Sequence, residues 1–122
     1  HEGSDDGFEW FGGSVNAKYL VVTNYASEVG DDLFDWTEGW NGIGEYWYGK
    51  RTNPGNRGIE ADNNSNNHLA SPVSNPTIKN LTLIGIGESD TSSETQALKL
   101  RVGTKGIFDN VVISNWKTGF DI

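Results

Sequence analysis

Cysteine and methionine are both absent from the 122 residues. Disulfides, thiol nucleophiles and thiolate metal sites are therefore excluded. No apolar run approaches the roughly 18 residues that a membrane helix requires, so no membrane-spanning segment is expected. Positive charge is scarce, with nine Lys and Arg against 17 Asp and Glu and a formal net charge of −8. Nucleic acid is therefore not an expected partner, because binding it needs clustered cations to displace counterions. What the chain has in quantity is glycine, 16 residues, together with many Asn and Asp, so it turns often. An aromatic content of 11% supplies enough bulk for a packed interior between those turns.

The clearest internal signal is a repeat. DDGFEW at positions 5 to 10 and DDLFDW at 31 to 36 say nearly the same thing, and GIEA (58 to 61), ALKL (97 to 100) and GFDI (119 to 122) continue the series. The second residues of the tetrapeptides, Phe8, Phe34, Ile59, Leu98 and Phe120, are spaced 26, 25, 39 and 22 positions apart. The long spacing contains NNSNNHLASPVSNP, which reads as a polar loop inserted at about 62–76. Within each period a second apolar pattern recurs, h-x-x-h-x-h: Ala17, Leu20, Val22; Ile43, Tyr46, Tyr48; Ile78, Leu81, Leu83; Phe108, Val111, Ile113. Two short strands per period, punctuated by glycine, fit neither an amphipathic helix nor a βαβ unit. The expected fold is all-β, a single parallel β-helix domain spanning 1–122 with about four to five coils.

Stacked coils lie about 4.8 Å apart, so the repeat predicts columns of like residues. Phe8 and Trp10, Phe34 and Trp36, Ile59 and Ala61, Leu98 and Leu100, and Phe120 and Ile122 are expected inside. Asn80 and Asn110 hold the same place in IKNLTL and FDNVVI, which predicts amides stacked and hydrogen-bonded at a bend.

Short strands, glycine turns and the h-x-N-h-x-h pattern resemble the right-handed parallel β-helix of the pectin-lyase-like superfamily. More narrowly, DDGFEWFGGSVNAKYLVVTN, DDLFDWTEGWNG, RGIEADNN and NPTIKNLTLIG are similar to secreted or lipid-anchored surface proteins of Bacteroidota. The resemblance implies a right-handed solenoid and a secreted or cell-surface location. It implies no particular activity, because fold does not fix function.

Three sets of residues are candidates for chemistry. Glu9, Asp35, Glu60, Lys99 and Asp121 occupy the outward middle position of the repeated strands. Carboxylates stacked at that spacing repel, by roughly 1 kcal/mol per pair even in water, and need compensation. Calcium is the candidate cofactor, at Glu9, Asp35 and Glu60 with Asp6 and Asp32, and with Asp5, Asp31 and Asp62 near enough to add oxygens. The competing reading is a solvated acidic face balanced by Arg57 and Lys99. If the chain is an enzyme, a polysaccharide lyase or glycoside hydrolase, its catalytic groups are Glu60, Asp62, Lys99 and Arg101. The Asn-Thr-Asp, His-Gly and Arg-x-Lys motifs of pectin hydrolases are all missing, so the leading expectation is a non-enzymatic module.

The third set is aromatic. With Tyr46 and Tyr48 inward, Trp47 would stand outward in a column with Val21, Thr82 and Val112, and Trp40 and Trp116 would extend a surface for a glycan or protein partner. His68 has no second ligand nearby and reads as a loop residue. Asn63 and Asn80 match the glycosylation triplet, a pattern short enough to occur by chance. Both chain ends fall beside core strands, and no initiator Met is present. Continuation in a longer polypeptide, or end-to-end self-association, is therefore expected.

Overall fold

The structure is a computed structural model that describes residues 6–24 and 31–122. Among the described residues nine strands follow one another: β1 (Phe8–Phe11), β2 (Ala17–Asn24), β3 (Phe34–Thr37), β4 (Ile43–Arg51), β5 (Ile59–Ala61), β6 (Thr77–Ile84), β7 (Gln96–Leu100), β8 (Ile107–Ser114) and β9 (Thr118–Asp121). Odd strands form one parallel sheet in the order β1-β3-β5-β7-β9, and even strands form a second, β2-β4-β6-β8. The chain alternates between the two sheets and climbs one strand each time, which makes a parallel β-solenoid of about three turns. Among the described residues the only helical element is a single 3-10 turn, Gly87–Ser89. No helix among the described residues is long and apolar enough to cross a membrane.

The repeat is the register of the first sheet. Phe8 pairs with Phe34, Phe34 with Ile59, Ile59 with Leu98 and Leu98 with Phe120. Phe34, Trp36, Ile59, Ala61 and Leu98 are buried, and each large one contributes roughly 1.5–3 kcal/mol. Phe8, Phe120 and Ile122, also expected inside, are exposed by 37%, 59% and 90%, because no further described strand stacks on them.

In the second sheet the inward positions are Ala17, Gly44, Ile78 and Phe108; Leu20, Trp47, Leu81 and Val111; and Val22, Gly49, Leu83 and Ile113. Three of these levels match expectation. The level of β4 is shifted by one residue: Gly44, Trp47 and Gly49 point inward, while Ile43, Tyr46 and Tyr48 are exposed. The two glycines explain it. A Cβ at Gly44 would sit 2.6 Å from Trp47 Cε2, and one at Gly49 would sit 3.0 Å from Phe34 Cε2. The Trp47 indole fills the space beside Gly44, and Leu33, Phe34 and Leu83 fill that beside Gly49.

Trp47 thereby joins an aromatic core. Its ring stacks on Trp10 at 4.7 Å and on Phe34 at 4.7 Å, and Trp10 stacks on Trp40 at 4.8 Å. Each buried indole N–H has an acceptor: Trp40 donates to the Val15 carbonyl, Trp47 to that of Ala17 and Trp36 to Thr104 Oγ1.

Residues 62–76 contain no strand. Asn63, wholly buried, organises them: its Nδ2 donates to the carbonyls of His68 and Ala70, and its Oδ1 accepts from Ser74 N–H. Buried as it is, the Asn63 amide is out of reach of any modifying enzyme acting on the folded chain.

Candidate functional site

The solenoid has two unlike outer faces. On the five-stranded sheet the outward row is Glu9, Asp35, Glu60, Lys99 and Asp121, in register. Three positions earlier in the repeats stand Asp6, Asp32, Arg57 and Gln96, and here side chains cap backbone. Asp6 Oδ1 accepts the Asp32 N–H at 2.8 Å, and Asp32 Oδ1 accepts the Arg57 N–H at 2.8 Å. The second aspartate of SDDG and of GDDL recurs because each, Asp6 and Asp32, accepts a backbone amide two residues ahead of the strand above.

This capping carries the carboxylates into close quarters. Asp6, Glu9 and Asp35 place oxygens within 4.8 Å of one another, as do Asp6, Asp31 and Asp32, and Asp32, Asp35 and Glu60. Asp5 lies outside the described residues. Asp32 is only 1% exposed, and its Oδ2, like Asp35 Oδ1, is buried without a hydrogen bond. Burial pushes the Asp32 carboxyl well above the usual carboxylate range, aided by its contact with Glu60. Burial raises Asp35 as well, together with the charges of Asp6, Glu60, Glu9 and Asp62.

Guanidinium groups border the nest. Glu60 is buried because Arg57 covers it, Nη1 to Oε1 at 3.2 Å, and Arg101 binds the same oxygen. Arg57 also pairs with Glu94 and donates from Nε to Gln96 Oε1. Arg101 holds Asp62 with two hydrogen bonds, Nε to Oδ1 at 2.7 Å and Nη2 to Oδ2 at 3.1 Å. That fork is the largest cause of the raised Arg101 pKa. Arg51, 1% exposed, directs Nη2 to the carbonyls of Asp31 and Arg57. Its desolvation lowers its pKa, against the pull of Asp32, Asp90, Asp31 and Asp6.

Of the four residues considered for catalysis, the fold gathers Glu60, Asp62 and Arg101 into one ion-paired cluster. Lys99 is turned to Asp121 at 2.5 Å. The five residues considered for calcium, Asp6, Glu9, Asp32, Asp35 and Glu60, share the carboxylate nest.

The outer face of the four-stranded sheet is neutral and aromatic. An exposed glycan platform at Trp47 and Trp40 is overturned, since Trp47 is 1% and Trp40 0% exposed. Trp116 is half-buried and donates its N–H to the Leu83 carbonyl. The outward column is real, but its aromatic member is Tyr48: Val21, Tyr48, Thr82 and Val112 are in register. Beside it runs the bend. Tyr19, Tyr46, Asn80 and Asn110 all have left-handed backbone, φ 60, 56, 57 and 58. Tyr19 and Tyr46 stack at 5.3 Å, and Asn110 Nδ2 donates to Asn80 Oδ1 at 2.6 Å. Next to the bend Lys18, Glu45, Lys79 and Asp109 alternate in sign, with Lys18 and Glu45 paired at 3.6 Å. Lys18 Nζ also lies over both tyrosine rings. Sequence reasoning missed Tyr19 and Tyr46 at the bend. The signal that locates them is the alignment of KYLVV, EYWYG, KNLTL and DNVVI, in which tyrosine takes the asparagine position.

A two-sheet parallel solenoid built from one strand of each sheet per repeat defines the class: a parallel β-helix domain. The family model for the "Pectate-lyase like beta helix domain" matches residues 1–122, and the chain belongs to that family. No curated protein and no solved structure matches it.

Proposed function

We propose that the domain is a non-enzymatic binding module that holds a neutral glycan against the outer face of the four-stranded sheet. The observation that carries this reading is the exposed pair Tyr46 and Tyr48, flanked by Tyr19 at 69% exposure and followed along the same columns by Asn80 and Thr82. Tyrosine presents an apolar ring with a hydroxyl tip, and amides and threonine add donors and acceptors, which together suit a polymer of rings and hydroxyls. Lys18, Glu45, Lys79 and Asp109 beside the columns cancel pairwise and Lys50 adds a single cation, so a neutral ligand meets little net field there although the chain carries −8. We place the module in a secreted or cell-surface protein of a bacterium, wound right-handed through four to five coils if each strand pair is counted as one.

A second reading, a polysaccharide lyase or glycoside hydrolase, draws on the family itself. Against it stands Arg101, which ties up both Glu60 and Asp62, the two carboxylates that would serve as acid and base.

The test replaces the platform with the residues that the next strand uses in register. Tyr46→Asn together with Tyr48→Thr copies Asn80 and Thr82 and keeps a residue suited to left-handed backbone at the bend. Affinity electrophoresis through a panel of neutral polysaccharides should show retardation of the wild type and none of the double variant, with melting temperatures alike. Equal retardation of both proteins would refute the surface, and release of reducing ends or unsaturated uronates from the panel would favour the enzyme.

A further inference from the structure

Two rows of unlike chemistry run side by side over the outer face of the four-stranded sheet, both along the axis of the solenoid. One is Val21, Tyr48, Thr82 and Val112, in register on successive strands. It is mostly apolar and open: Val21 is 67% and Val112 52% exposed, and Tyr48 stacks on no other ring among the described residues. The second row is the bend, Tyr19, Tyr46, Asn80 and Asn110, and it is polar. Tyr19 and Tyr46 each cover one ring face of the other, so their hydroxyls and edges are left to meet a ligand. Asn110 Nδ2 donates to Asn80 Oδ1, which leaves Asn80 Nδ2 as a donor and Asn110 Oδ1 as an acceptor without a partner among the described residues.

Successive strands follow at about 4.8 Å, close to the advance of one pyranose unit in an extended sugar chain. A polymer laid along the axis therefore meets one apolar and one polar residue per coil. Rings joined through equatorial bonds on both sides suit that pattern. Their chain is a straight ribbon, with axial C–H groups making its faces and equatorial hydroxyls its rims. Chains with one axial bond per linkage wind into helices, and touch a straight row at only one or two units. Building on the binding reading above, on which this depends, we infer that the ligand is an extended ribbon of diequatorially linked neutral pyranoses lying along the solenoid axis, about one ring per coil. Its C–H face rests on Val21, Tyr48, Thr82 and Val112, where apolar contact and the Tyr48 ring hold it. One hydroxyl rim faces the bend, where the tyrosine hydroxyls and the free amide groups of Asn80 and Asn110 read it.

The test is calorimetric titration of the whole domain with cello- and manno-oligosaccharides of about two to six rings, beside malto-oligosaccharides of equal length. Affinity for the first two series should rise with each ring up to about four, one per strand of the sheet, and then level off. The malto series, missing one or two ring contacts, should end about tenfold weaker. Asn80→Asp keeps the oxygen that accepts from Asn110 and suits left-handed backbone, but loses the free donor. It should weaken the four-ring ligands by about two- to tenfold, with an unchanged circular dichroism spectrum. Equal affinity for the malto series, no gain beyond two rings, or four-ring binding untouched by Asn80→Asp overturns the axial ribbon and leaves the neutral-glycan surface standing. Absence of binding to every oligomer here and to every polysaccharide of the electrophoresis panel overturns both.

Discussion

Gly44 and Trp47, three residues apart in β4, share one volume: the indole of the second lies where a side chain on the first would be. The ring is rigid and buried, so it cannot yield to an added methyl. Gly44→Ala should lower stability by about 1–3 kcal/mol, the usual cost of overpacking. Gly119→Ala, where a Cβ would meet nothing within 4 Å, should change it by no more than a few tenths. Urea midpoints of the two variants check this, and equal losses would mean that the indole is loosely held.

The same pair explains how far the sequence could be read. The tetrapeptide series located every strand of the first sheet, because large apolar residues recur there at fixed positions and no residue is inserted within the strands. In β4 the rule that larger apolar residues point inward chose Tyr46 and Tyr48, when the true inward set is Gly44, Trp47 and Gly49. Glycine carries no hydrophobic signal, so a packing solution in which an indole fills the space beside one glycine, and neighbouring coils fill that beside another, is invisible to periodicity. Aligning Tyr46 with Asn80 would have found it, since the left-handed bend fixes the phase of everything after it. The acidic column was legible as a column. The burial of Asp32 was not, because it depends on Arg57 and Glu60 closing over it from the next strand.

At the bend, the backbone selects the residue. Left-handed φ costs an L-residue roughly 1–2 kcal/mol, least for asparagine and most for β-branched side chains. Asn80→Val should therefore cost about 2 kcal/mol, including the amide bond from Asn110. Tyr46→Asn exchanges a ring stack for a better backbone fit and should shift stability by less than about 1 kcal/mol. Chemical denaturation of both variants measures the difference, and a Tyr46→Asn loss as large as that of Asn80→Val would show that the stack outweighs the strain.

Arg57 and Arg101 both hold Glu60, yet they should not be equal. The Arg57 side chain is 9% exposed and that of Arg101 is 44%. Arg57→Met keeps most of the aliphatic stem and strips charge from a buried carboxylate, which should cost about 3–5 kcal/mol. Arg101→Met acts where water screens the pair and should cost about 1 kcal/mol or less, shrinking further in salt. Urea titrations at low and high ionic strength separate the two. Equal, salt-sensitive losses would place Glu60 in solvent and remove the basis for treating this cluster as buried.

The raised carboxyls of Asp32 and Asp35 give the protein an unusual pH dependence. Asp32 and Asp35 hold their protons in the fold to higher pH than in the unfolded chain. Above the ordinary carboxylate range the unfolded state therefore binds fewer protons than the native one, and stability must fall as pH rises through neutrality. One such group lowers it by up to about 1.4 kcal/mol per pH unit until its native pKa is passed. Most acid-rich proteins do the reverse, because carboxylates paired in the fold must be protonated to unfold it. The urea midpoint should drop between about pH 5 and pH 8. A midpoint that climbs over the same interval would mean that Asp32 and Asp35 are charged and compensated within the fold, with no proton needed to hold the nest together.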